Sequence, residues 1–138
     1  MKWTLMSLAF ATVFSIAGMA RSGEQCNAAD GVLLPGTGEA PWDVQVLLQP
    51  ETVPLNAPFD AIVSVCGKPD VLPTRVTFDA AMPTHKHGMN YEPKLAQIGT
   101  HRVKVENLVF HMPGIWRIEV TVYEGQTPHR FTHDMALK

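Results

Sequence analysis

The residues best equipped for chemistry lie in one run, Met82-Pro83-Thr84-His85-Lys86-His87-Gly88-Met89. A second Met-Pro string follows, His111-Met112-Pro113-Gly114. The first run alone places two imidazoles and two thioethers within eight residues. Imidazole binds copper, zinc, iron and nickel, whereas the soft thioether favours Cu(I) and has little use for magnesium or calcium. A mixed His/Met set therefore points to copper as the cofactor, in the Cu(I) state. His85, His87 and Met89 are the first-choice ligands, with Met82, His111 and Met112 behind them. In an extended segment His85 and His87 would point to the same side. Gly88 would let the backbone turn where a side chain blocks it, and Pro83 would reduce the entropy lost on ordering the run. His111 and Met112 join the site if both Met-Pro turns lie at one end of the fold.

Each of these residues also has a purely structural reading. Methionines near strand ends commonly fill gaps in a core, and that reading weighs most on Met82 and Met112, each beside a proline. The His85/His87 stretch would then be a hydrogen-bonded plug closing one end of the fold. His101, His129 and His133 are read as surface or hydrogen-bonded residues. Catalysis finds little support. The chain has no Gly-x-Ser-x-Gly elbow, no phosphate-binding Gly-rich loop and no His-Glu-x-x-His helix. Asp79, Glu92 and Glu106 do not form an obvious catalytic pair, and methionine is a poor zinc ligand. A blue-copper electron carrier needs a cysteine thiolate beside its histidines, and Cys66 has no His-Met neighbours on its own loop. The reading is a non-enzyme.

The scaffold that must hold these side chains is legible from alternation. Trp42, Val44, Val46 and Leu48 alternate with Asp43, Gln45 and Leu47, and Phe59, Ala61, Val63 and Val65 with Asp60, Ile62 and Ser64. Val76, Phe78 and Ala80 keep the same period, as do Val103 and Val105. Trp116, Ile118, Val120 and Val122 alternate with Arg117, Glu119, Thr121 and Tyr123, and Phe131 to Leu137 gives a weaker last strand. Period two between Pro- and Gly-rich breaks means half-buried antiparallel strands. No amphipathic helix of three turns is evident. The expected fold is all-β, an immunoglobulin-like antiparallel β-sandwich of six to eight strands. It spans residues 41–138, after an irregular N-terminal arm at residues 21–40.

The first twenty residues read as a secretory signal peptide. Lys2 supplies the basic start, an apolar stretch runs from Trp3 to Ala17, and Gly18-Met19-Ala20 offers small residues for cleavage. The alternative is a retained membrane anchor, since the run approaches the minimum length for a span. No second apolar run could span a bilayer, so cleavage leaves no stable membrane span. The expected location is periplasmic or secreted. The whole 138-residue chain carries a formal net charge of −2 and no basic patch, which argues against a nucleic-acid partner. Its two cysteines, Cys26 and Cys66, both fall in the exported part. In an oxidising compartment an isolated pair most simply forms one disulfide, here tying the N-terminal segment to a core strand, with a metal thiolate as the alternative.

The string Met82-Pro83-x-His85-x-His87-Gly88-Met89, followed by Gly99 and by Met112-Pro113-Gly114-x-Trp116, resembles the YtkA-like domain, which is related to the FixH-like proteins. The resemblance covers about residues 40–125. It implies a small exported or membrane-anchored β-sandwich, and a link to copper handling and to the assembly of respiratory oxidases. The chain departs from the anchored members in reading as cleaved and soluble. The functional expectation is a periplasmic copper-binding protein that carries, delivers or sequesters copper through its His/Met loop. Its partner would be a copper-trafficking or respiratory-oxidase assembly protein. The alternative is a non-catalytic exported interaction module that docks on a membrane or respiratory enzyme without binding metal.

Overall fold

The computed structural model of the protein describes residues 26–27, 31–67, 71–89 and 91–138. The signal segment at residues 1–20 lies outside these. Nine strands occur among the described residues: β1 (Val32–Leu34), β2 (Trp42–Gln49), β3 (Phe59–Gly67), β4 (Arg75–Met82), β5 (His87–Gly88), β6 (Lys94–Gly99), β7 (Arg102–Leu108), β8 (Gly114–Glu124) and β9 (Thr127–Leu137). They form two antiparallel sheets, β1-β2-β3-β7-β6 and β5-β4-β8-β9. Setting β1 aside, this is the ABED and C′CFG strand order of an immunoglobulin sandwich.

Nine strands exceed the expected six to eight, and the additions are informative. β1 has three residues and β5 has two, too few to show a period. β6 is an edge strand with only Leu95 and Ala96 half-buried, so its alternation is faint. The arm is correspondingly less irregular than expected. Its β1 pairs with β2, matching Val32 with Val46 and Leu34 with Val44. Gly36 then bridges to Phe131, and Thr37 N–H donates to Arg130 O at 2.9 Å. The arm thus straps the outer edge of one sheet to that of the other, and the sandwich begins at Val32.

The alternation seen in the sequence decides which face each strand buries. In β8, Trp116, Ile118, Val120 and Val122 face inward at 2 % exposure or less. Arg117 faces out and makes two bonds to Asp134 on β9, at 2.6 and 2.8 Å. That pairing holds the Asp134 carboxyl below its ordinary range. In β3, Ala61, Val63 and Val65 enter the core, while Asp60 turns out to meet Lys104 at 3.0 Å. The Asp60 carboxyl is also lowered, chiefly by the Asn107 N–H it accepts and then by Lys104. These pairs are solvent-screened and add little stability. Burial of the apolar faces does most of the holding.

Cys26 and Cys66 form a disulfide, with Cα atoms 5.3 Å apart across a sequence separation of 40. Closing a loop of that length is worth on the order of 4 kcal/mol through the unfolded chain's lost entropy. The link brings Cys26 and Asn27, in the first half of the arm, over the outer face of β2. There Gln45 is buried and its Nε2 donates to Asn27 O at 2.9 Å. No helix among the described residues is long and apolar enough to cross a membrane.

Candidate metal centre

β4 does not stop before the His/Met run. It continues to Met82 and turns straight back into β5. Pro83 occupies the second position of the turn, where its fixed φ is favoured, and His85 N–H closes it on Met82 O at 3.2 Å. Lys86 then takes a left-handed φ of 51°. His87 pairs with Met82 and Gly88 with Ala81, and Met89 N–H continues the ladder to Ala80 O at 3.2 Å. Directly opposed residues in an antiparallel pair share a face. Met82 and Ala80 face the core, at 0 % and 1 % exposure, so His87 and Met89 lie on the inward face of the sheet edge. There the sandwich is ending. His87 remains exposed, and Met89 packs half-buried against the core.

The second Met-Pro string crosses from β7 in one sheet to β8 in the other. Phe110 anchors it, fully buried and stacked on Trp116 with ring centroids 4.3 Å apart and planes 8° from parallel. Asn56 N–H donates to Phe110 O at 2.9 Å, and Trp116 Nε1–H donates to Met112 O at 2.9 Å. His111 stands edge-on to Trp116 at 5.6 Å, half-buried, with Met112 half-buried against the core beside it. Gly114 has φ 129°, a conformation that L side chains rarely adopt. It also lies over the end of Met82, where an added Cβ would come within 2.7 Å of Cε.

Both Met-Pro turns therefore lie at one end of the sandwich, the condition on which His111 and Met112 could join the site. The rings of His87 and His111 meet there edge-to-face, centroids 6.0 Å apart and planes 79° inclined. A metal–nitrogen bond of about 2 Å places an imidazole centroid roughly 3 Å from the ion, so two rings on one ion are separated by at most about 6 Å. The pair sits at that upper limit. Among the described residues no three His, Cys, Asp or Glu side chains converge. The further donors within the two segments are the thioethers of Met89, two residues from His87 on the same face, and Met112, next to His111. Such a donor set suits a soft ion and not a hard one.

Three expectations about the site change. His85 does not share a face with His87, because the segment between them is a tight turn and not an extended strand; His85 lies on the exposed turn. Gly88 is not sterically required, since a Cβ there would meet nothing within 4 Å. Met82 is a core residue at 0 % exposure beneath Gly114, so its thioether fills the floor of the site. Sequence reasoning missed the floor's other part, Phe110 and Trp116. The signal was available in Met112-Pro113-Gly114-x-Trp116, where a turn delivers an indole to the first inward position of a strand.

The remaining histidines keep structural surroundings. His129 is edge-on to Trp42 at 5.6 Å and lies 3.4 Å from Glu124. His133 pairs across from Ile118 in the β8–β9 ladder. His101 accepts Val65 N–H at its backbone oxygen and lines a cleft of about 290 Å³. That cleft lies where β3 ends and β4 begins, at the opposite end from the His/Met cluster. It shares no residue with the cluster.

The fold and this cluster define an immunoglobulin-like sandwich that carries paired imidazoles and thioethers at one end. No protein-family model, no curated protein and no solved structure matches the chain.

Proposed function

We propose that the protein binds one Cu(I) ion at this end of the sandwich and carries, delivers or sequesters it. One observation carries the reading: His87 and His111, far apart in sequence, come together with ring centroids 6.0 Å apart. Each is accompanied by a half-buried methionine on its own segment. His87, His111, Met89 and Met112 are the proposed ligands, and His85 is an outlying donor on the exposed turn. The floor of Met82, Phe110 and Trp116 is buried in the core. A dry apolar floor beneath soft donors favours a singly charged soft ion over a strongly hydrated one.

Handling of the ion is the role that suits the cluster: among the described residues its imidazoles are joined by thioethers and by no third His, Cys, Asp or Glu. Export to the periplasm or beyond is supported by the N-terminal signal pattern and by the Cys26–Cys66 disulfide, a linkage typical of oxidising compartments. In that setting the partner is a copper-trafficking or respiratory-oxidase assembly protein, as the family resemblance implies. The test is a competition titration of the metal-free protein with Cu(I), against a chelator of roughly micromolar affinity. The protein is expected to withhold one equivalent of copper. If all copper stays with the chelator, the chain is instead a docking module without metal.

A further inference from the structure

The crossover at residues 109–113, which bears His111 and Met112, is held at three backbone atoms. Phe110 O is fixed by Asn56, from the loop between β2 and β3, and Met112 O by Trp116 of β8. The third anchor differs in origin. Val109 N–H donates to the phenol oxygen of Tyr91, and Tyr91 lies two residues beyond Met89, on the stretch leading from β5 to β6. It therefore fastens the segment carrying one half of the cluster to the segment carrying the other. β5 cannot do this alone, because its ladder to β4 pairs only two residues.

We infer that Tyr91 is a positioning residue of the metal site: its phenol oxygen latches the two ligand-bearing segments together, so that His87 and His111 stay within reach of one ion. The inference rests on the copper reading for its purpose and on the hydrogen bond for its geometry. The imidazole pair sits at the upper limit of what one ion can span, so outward drift of about an ångström would separate the ligands. Tyr91 is 39 % exposed, so phenylalanine keeps the ring's packing and deletes only the acceptor.

The test is Tyr91→Phe in the full mature chain. In the Cu(I) competition titration the variant is expected to bind about tenfold more weakly, the usual scale for losing an outer partner of a ligand. Its melting temperature should fall by no more than a few degrees. A latch acts only when both segments supply ligands, so in a background with both crossover ligands replaced, His111→Ala with Met112→Leu, the same change should cost nothing further. Unaltered affinity in the single variant, or an equal loss in the background that lacks both His111 and Met112, overturns the inference. A readout without copper separates this from failure of the copper reading. In the metal-free wild type, ring protons of His87 and His111 should show a nuclear Overhauser contact that weakens in Tyr91→Phe. Full strength in the variant overturns the latch whether or not copper binds. A weakened contact in a protein that never takes up copper upholds the latch and removes only the copper.

Discussion

Replacing His87 and His111 together by alanine is expected to weaken Cu(I) binding by on the order of a thousandfold. Loss of a single outer partner of a metal ligand costs about ten- to a hundredfold, and this change removes both imidazoles directly. The apo-protein should keep its fold. His87 is exposed on a two-residue edge strand, and His111 lies on top of Trp116 and not within the core. His85→Ala is the contrast, with a loss of less than about threefold, because that ring belongs to the exposed turn. The competition titration measures all three proteins, and thermal unfolding of the apo forms checks their integrity. Should His85→Ala cost as much as the double change, the site would be centred on the turn and the His87–His111 pair would be incidental.

Trp116→Ala should have the largest effect on stability. The indole is fully buried and stacked on Phe110, and it supports the edge of His111. Emptying such a site costs about 3–5 kcal/mol. For a domain of this size that is a fall in melting temperature of roughly 10–20 °C. Trp116→Phe isolates a different contribution. It retains an aromatic ring against Phe110 but deletes the Nε1–H bond to Met112 O, leaving that carbonyl without its partner at a cost of about 1–3 kcal/mol. Copper affinity should fall in Trp116→Phe while the sandwich stays folded, since the lost bond fixes the turn that carries His111 and Met112. Circular dichroism melts and the titration, run on both variants, separate the two effects. A Trp116→Phe protein with undiminished copper affinity would show that the turn needs no anchor from the indole.

Much of the scaffold was readable because a half-buried strand repeats every two residues. Trp42 to Val46, Phe59 to Val65 and Trp116 to Val122 each send alternate apolar side chains into the core, with Gln45, Ser64 and Thr121 also buried between them. The disulfide was legible for a different reason, since a chain with only two cysteines has one simple pairing within itself. Short elements escaped. β1 and β5 are held by their neighbours' ladders and not by any pattern of their own. For the site, residue type suggested a chemistry and carried no geometry. His85 and His87 look equivalent in sequence, yet Pro83 and the left-handed Lys86 put a turn at one and a strand at the other. Met82 and Met89 likewise look alike and both face inward, but Met82 ends the inner strand β4 beneath Gly114 while Met89 follows the edge strand β5, so the first is floor and the second half-open. The meeting of His87 with His111 depends on where two turns fall in the sandwich. That is a property of strand order, which no local spacing encodes.

X-ray absorption at the copper edge of the Cu(I)-loaded mature protein tests the central claim most directly. Two nitrogen scatterers with imidazole multiple-scattering, together with at least one sulfur neighbour that persists when Met82 is replaced by leucine, are the predicted first shell. A shell of nitrogen and oxygen alone, or an imidazole signal unchanged after His111→Ala, would contradict it.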